Sequence, residues 1–351
     1  MKYPYGIHSD QHAHAWSQFS SVDPDGVNSR LRIILNEIDR AGTTVALAGG
    51  DTLIGAGDLF HNRGEIKPSV FNPTVKQFQS HSGRWKDVLI PGNHDLEGKD
   101  ASELGNAMQA LDALPSCTVC MEPTLVGDVW VFPWFQDLNV LRAEMTKRAD
   151  PTKDAIIHAP VNGVIKGIPD HGLEAAELAA MGYRRVFSGH YHDHKVMEGG
   201  KVISIGATTH QTWSDPGTGA GFILVYEDRI EFHESEAPKF VDLTHELIEE
   251  ADAHGLSVGD LVEGNYVRIK LTDVTEKEIK EWRQSTLDRG ARGCIVLATK
   301  KNPATVRTGA GGATAVSLAA SVEHFIRNDM KPLLVEDISL LAQEVLSEAQ
   351  S

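Results

Sequence analysis

The sequence predicts a layered α/β/α sandwich followed by a small α+β module and a helical tail. Three observations carry that expectation. Short apolar runs alternate with amphipathic helical segments over residues 1–236; the texture changes to charged, alternating patterns over 240–302; and a Gly-, Ala- and Thr-rich stretch at 303–315 precedes a last apolar-striped segment, 316–351. Strands that alternate with helices bury both faces of a sheet, which is the layered solution.

The first amphipathic segment is Ser29 to Arg40, with Leu31, Ile34, Leu35 and Ile38 on one face. Apolar runs at Thr52–Ala56, Val88–Ile90, Ala155–Ile157 and Arg185–Phe187 end in Gly, Asn or His, as buried strands feeding loops do. Gly221–Tyr226 and Arg229–Phe232 form an expected strand pair that closes the domain, and a linker follows around Glu236-Ala237-Pro238. Tyr266–Leu271 alternates like a half-exposed strand, Lys277–Leu287 is a charged helix and Cys294–Leu297 a second strand, which together read as a β-α-β module. Residues 303–315 read as a linker. The tail carries Val322, Phe325 and Ile326 on one helical face and Leu334, Ile338, Leu341 and Val345 on another.

With 351 residues, 41% of them hydrophobic, the chain has ordinary globular composition. Met1 to Asp10 has no basic start leading into an apolar run, and no stretch is long and apolar enough for a bilayer, so a soluble, cytoplasmic protein is expected. Cys117, Cys120 and Cys294 suit a reducing compartment; the lone Cys117-x-x-Cys120 lacks the second ligand pair of a zinc site. The net charge of −16 argues against a nucleic-acid partner on global grounds, since affinity for phosphate backbones comes from cations.

Five polar clusters stand at the ends of expected strands: Asp10-Gln11-His12, Gly57-Asp58-Leu59-Phe60-His61, Gly92-Asn93-His94-Asp95, His158, and Gly189-His190-Tyr191-His192. The carboxyl ends of strands are where α/β sheets form their crevices. Mixed Asp, Asn and His donors suit manganese, iron or zinc, whereas magnesium or calcium sites are almost entirely oxygen. His8, His14, His81, His171, His194 and His210 read as surface or loop histidines, with His14 and His194 nearest the clusters.

The order D-x-H, G-D, G-N-H-D, a single His, then G-H-x-H resembles the calcineurin-like metallophosphoesterases. The resemblance implies two divalent metal ions, one held by Asp10, His12, Asp58 and His192, the other by Asp58, Asn93, His158 and His190. Asp58 would bridge them; Asp51, which precedes the apolar run rather than ending it, is assigned to the strand entry. Two such ions clamp a phosphate, acidify a bridging water and stabilise the leaving oxygen. His94 would then serve as general acid or help hold the phosphate, with Asp95 orienting its ring.

Within that family, His61 after Gly57-Asp58-Leu59-Phe60 resembles the SbcD-type DNA exonuclease subunits, where it would help position the DNA phosphate. Val202 to Thr209 and the closing strand from Gly221 are similar to that group too, though Ile205 and Ala207 stand where Pro and Ser are usual. Residues 240–302 fall where such proteins carry a DNA-capping domain, and between Arg268 and Lys301 nine Lys or Arg face five Asp or Glu. The resemblance implies a manganese-dependent DNA exonuclease and endonuclease acting in double-strand-break processing, recombination or replication. It also implies a homodimer and an SbcC-like coiled-coil ATPase partner, in the cytoplasm, on the nucleoid or in a virus-infected host. The stripe from Leu334 to Val345 would meet that ATPase or fold back on its own domain. A phosphatase or nucleotide phosphodiesterase on the same core is the alternative, because the core motifs do not choose the substrate. A non-catalytic scaffold fits poorly with a ligand set that has no gap.

Overall fold

The strands in chain order are β1 (Tyr5–His8), β2 (Thr52–Gly55), β3 (Lys86–Leu89), β4 (Cys117–Val119), β5 (Thr124–Val126), β6 (Val129–Phe132), β7 (Asp154–His158), β8 (Val186–Gly189), β9 (Lys195–Met197), β10 (Val202–Ser204), β11 (Gly221–Val225), β12 (Ile230–Glu234), β13 (Phe240–Leu243), β14 (Tyr266–Thr272) and β15 (Gly293–Thr299). The α-helices are α1 (Ser29–Leu47), α2 (Pro68–Ser80), α3 (Leu138–Lys147), α4 (Ala175–Ala180), α5 (His245–Ala253), α6 (Val258–Val262) and α7 (Glu276–Asp288). This computed structural model describes residues 1–98, 105–165, 167 and 171–299. The expected linker at 303–315 and the tail at 316–351 lie outside the described residues.

The layered α/β sandwich is present, and its central layer is double. One sheet runs β12-β11-β1-β2-β3-β4 and the other β5-β6-β7-β8-β10-β9. Side-chain alternation along each strand explains the stacking. Leu53 of β2 points to a core shared with Leu31, Ile34 and Ile38 of α1, while its neighbour Ile54 points to a core shared with Ile156, Phe187 and Ile203 of the opposite sheet. Ala155 and Ile157 of β7 face outward again, onto Leu141 and Met145 of α3 and Leu178 of α4. Each strand buried on both faces reads as an unbroken apolar run.

α1 begins where Asn28 Oδ1 accepts from the amides of Arg30 and Leu31 at 3.0 and 3.1 Å. It continues past the expected Arg40 to Leu47, because Ala41 and Val45 extend its buried stripe. α2 was not expected: Pro73 inside it masks the helical pattern, while Pro68 suits its first turn.

The two expected strands of the C-terminal module are joined by a third. β13, β14 and β15 are all parallel, with α5 and α6 crossing between the first pair and α7 between the second. Val262, Val267, Ile269 and Cys294 form their shared core. Across from it, Phe19 stacks on Tyr266 at 4.9 Å and 8°, and the Arg30 guanidinium lies 5.0 Å from the Phe240 ring. The module therefore rests on the loop between β1 and α1, and residues 1–300 form one compact unit. Counted from Phe240, residues 240–267 add seven acidic residues and no Lys or Arg, so 240–301 holds twelve acidic against nine basic residues. The positive balance from Arg268 onward comes from Arg268 and Lys270 of β14, Arg289 and Arg292 after α7, and Lys300 and Lys301 further on in the sequence, while α7 itself holds four acidic and three basic residues.

Cys117, Cys120 and Cys294 are buried free thiols. Among the described residues no helix is long and apolar enough to cross a membrane.

Candidate metal centre

β1, β2, β7 and β8 end at one edge of the sandwich, and the loops that leave them, together with the loop after β3, bring the polar clusters together. Two groups form. Asp10, His12 and His192 offer donor atoms within 4.8 Å of one another, and so do Asp58, His158 and His190. Asn93 joins the second group, its Oδ1 lying 3.2 Å from His158 Nε2 and 3.0 Å from His190 Nδ1. Asp58 Oδ2 is 3.4 Å from His158 Nε2 and 3.7 Å from His12 Nε2, so one carboxylate oxygen reaches both groups. The seven ligand candidates thus converge as two adjoining clusters that share Asp58. Asp51 is elsewhere, accepting from the Lys2 amide at 3.0 Å.

The backbone is bent to achieve this. Asp10, His12, Asp58 and His190 all have positive φ, of 52°, 45°, 55° and 105°. Each such residue costs on the order of 1–3 kcal/mol, and such strain gathers at functional sites. Gly57, with φ 98°, must lack a side chain, since a Cβ there would stand 2.2 Å from His158 Nδ1.

The donors fit a pair of cations. Asp10 Oδ1 is buried without a hydrogen-bond partner, an orphaned acceptor that an ion would satisfy. His158 Nδ1 donates to the Ala56 carbonyl at 2.7 Å, which leaves Nε2 for a metal. Burial opposes charge on Asp58, but His158 and His12 more than offset it and hold the carboxyl well below the usual range. Burial likewise opposes charge on His158, and Asp58 overrides it, moving that ring up to about 9. His190, buried beside His158, is pushed down to about 3. A shared anion among buried imidazoles is an electrostatic arrangement that divalent cations complete.

A third group, His12, His61 and His94, adjoins the first. His61 and His94 stack at 5.6 Å and 19°, and His94 Nδ1 donates to the His61 carbonyl at 2.6 Å. Burial and the His14 and His94 rings lower His61 to about 4, so it is neutral at pH 7. Asp95 does not orient His94, contrary to expectation. Its carboxylate accepts from the amides of Gly92, Phe60 and Leu59 at 2.8, 2.9 and 3.3 Å, and so staples the loop after β2 to the loop after β3.

The surface reading of several histidines is also corrected. His8 and His81 are fully buried, and His210 is 8% exposed. His81 pairs with Asp87 at 2.9 Å, and His210 links Thr218 to the Phe240 amide. His194 stacks on Phe232 rather than facing the site, whereas His14 does lie beside His61. Two contributors carry no motif in the sequence. Trp134, in the loop two residues past β6, stacks on His190 at 5.5 Å and 29°. Asp215 lies 3.1 Å from His192 Nδ1, hidden in an Asp215-Pro216-Gly217 turn signature. Ala207, where relatives are expected to carry Ser, is buried.

A family model described as calcineurin-like phosphoesterase matches residues 7–194. Among solved structures, the chain is similar to the Pseudomonas putida nuclease MPE, at 16% identity over 64% of this chain and 86% of that one, with a TM-score of 0.31. It is also similar to a dimetal phosphatase from Danio rerio, at 11% identity over 64% of this chain and 92% of that one, with a TM-score of 0.39. No curated protein matches the chain. The matched segment covers more than half of the sequence and contains every Asp, Asn and His of the two clusters, and by that measure the chain belongs to the calcineurin-like phosphoesterase family.

Proposed function

We propose that this metal-dependent phosphoesterase is a manganese-dependent DNA nuclease, acting as exonuclease and endonuclease in double-strand-break processing, recombination or replication. The observation that carries the reading is the His61–His94 pair, which stands beside the ligand clusters without belonging to the metal-holding set. Asp10, His12, Asp58 and His192 would hold one ion, and Asp58, Asn93, His158 and His190 the other. When bound, the ions supply the clamp on the phosphate and the acidity of the attacking water.

The chain's own residues do the rest. The His94 Nδ1 proton is engaged by the His61 carbonyl, which turns Nε2 to the substrate; as an imidazolium the ring would deliver its Nε2 proton to the leaving oxygen or donate it to a phosphate oxygen. His61, neutral and stacked against His94, fixes that ring and offers its own edge to the phosphate. Asp95 keeps the Asp58 and Asn93 loops in register. The same resemblance supports a homodimer and an SbcC-like coiled-coil ATPase partner in the cytoplasm.

The acidic total, and the acidic balance of the C-terminal module, favour a second reading: a phosphatase or nucleotide phosphodiesterase for small phosphoesters. Incubating the purified protein with linear duplex DNA and manganese, beside His94→Ala and a chromogenic phosphodiester, separates the two. DNA shortening that requires manganese and His94 is expected. Turnover of the small ester with DNA left intact, even with an SbcC-type partner added, refutes the nuclease.

A further inference from the structure

The loop from β10 to β11 carries a carboxylate that the ligand set does not use. Asp215 is 2% exposed, and its Oδ2 accepts from the amides of Gln211 and Thr212, both at 2.7 Å. Its Oδ1 lies 3.1 Å from His192 Nδ1, while His192 Nε2, on the opposite side of the ring, is 3.2 Å from His12 Nε2. A carboxylate can only accept, so His192 carries its proton on Nδ1 and presents the Nε2 lone pair to the group it shares with Asp10 and His12.

We propose that Asp215 is the positioning residue that sets the tautomer and orientation of His192 as a metal ligand. The inference rests on the two-cluster ligand reading above. The segment that holds Asp215 is stiff. Gln211 Nε2 donates to the Asp10 carbonyl at 2.6 Å, and Arg30 donates to the Gln211 carbonyl at 2.6 Å. Trp213 packs edge-on to Phe240 at 4.8 Å, with the Arg268 guanidinium 4.5 Å from its ring. Asp10 and His192, ligands from distant parts of the chain, are thus braced by one short segment. A ligating imidazole held by a carboxylate gains basicity and a fixed aim, and loss of such a partner typically costs 10–100-fold in metal affinity.

Asp215→Asn is the discriminating variant. The two backbone amides require an oxygen, so the side-chain NH2 must turn to His192 Nδ1, which moves the ring proton to Nε2. Calorimetric titration of the metal-stripped full chain with manganese should show two ions for wild type. It should show about 10–100-fold weaker binding of one ion for Asp215→Asn, and loss of that ion for His192→Ala. The urea midpoint of metal-free Asp215→Asn should match wild type. Two wild-type affinities in Asp215→Asn, with one ion lost in His192→Ala, overturn the role of Asp215 and leave the ligand reading standing. Unchanged binding by His192→Ala overturns both. If Asp215→Asn is also less stable, ring 15N shifts of His192 decide: a proton on Nδ1 in wild type and on Nε2 in the variant sustains the proposal, and the same tautomer in both overturns it.

Discussion

Replacing Gly92 by Ala should disable the metal centre without replacing any ligand. Gly92 has no left-handed backbone, so an alanine is conformationally acceptable there; the obstacle is space. Its Cβ would stand 2.2 Å from Asp58 Oδ1, 2.4 Å from the Asp58 nitrogen and 2.8 Å from His158 Cε1. Relieving those overlaps requires a shift of about 1 Å, given normal carbon contacts of ~3.5 Å. The loop cannot supply it cheaply. Asp10 donates to the Gly57 carbonyl and His12 to the Asp58 carbonyl, both at 3.0 Å, and Asp95 clamps Phe60 at 2.9 Å. The Asp58 carboxylate is therefore displaced from the point between His158 and His12, and both ions should bind more weakly. Overpacking should cost ~1–3 kcal/mol of stability, and a misplacement of about 1 Å should lower turnover on the order of 100-fold. Manganese titration and hydrolysis of a chromogenic phosphodiester, with circular dichroism as a check on folding, measure these effects. A folded Gly92→Ala variant that binds both ions as wild type does and turns over within about threefold would refute the reasoning.

Other outcomes follow from groups away from the centre. Asp154, fully buried at the start of β7, accepts from Tyr5 Oη at 2.7 Å and from Arg184 and Arg185 at 2.9–3.0 Å, so Asp154→Asn should cost about 3 kcal/mol at pH 7 in urea denaturation. Burial raises its carboxyl, but the two guanidiniums more than offset this and hold it below the usual range; the wild-type advantage should be full above the unfolded value of about 3.9 and shrink as pH falls through the lower folded one, and a gap independent of pH would contradict this. His81→Ala leaves the buried Asp87 carboxylate without its imidazole and should cost ~1–3 kcal/mol while leaving manganese affinity unchanged by calorimetry. Chelation should lower the melting temperature, since ions at about 100 times their Kd stabilise the folded state by roughly 2.7 kcal/mol; equal melting with and without chelator would show that the centre is not loaded.

The polar clusters that the fold gathers were legible because they stand at the ends of apolar runs, as His158 ends β7, with Gly57 before Asp58 and Gly189 before His190 breaking two of those runs. What the sequence concealed depends on contacts between distant segments. Asp95 follows His94 in the chain and looked like its partner, yet strand-end geometry turns it to the amides of Phe60 and Leu59. Asp215 was indistinguishable from any turn aspartate until the fold placed it against His192. The double central layer was likewise unreadable, since an apolar run does not say whether its second face meets helices or another sheet; Ile54 against Ile156 and Phe187 decides that. The same non-local packing explains why the strain at Asp10, His12, Asp58 and His190 is tolerated. Asp10 and His12 each donate to the loop of Asp58, and the His190 amide donates to Asp10 Oδ2 at 3.0 Å, so each bent residue is held by a hydrogen bond to another. A backbone that costs several kcal/mol to bend locally persists only when such bonds over-determine it. The centre is therefore rigid before any ion arrives, which is the condition under which small displacements of Asp58 or His192 carry large penalties.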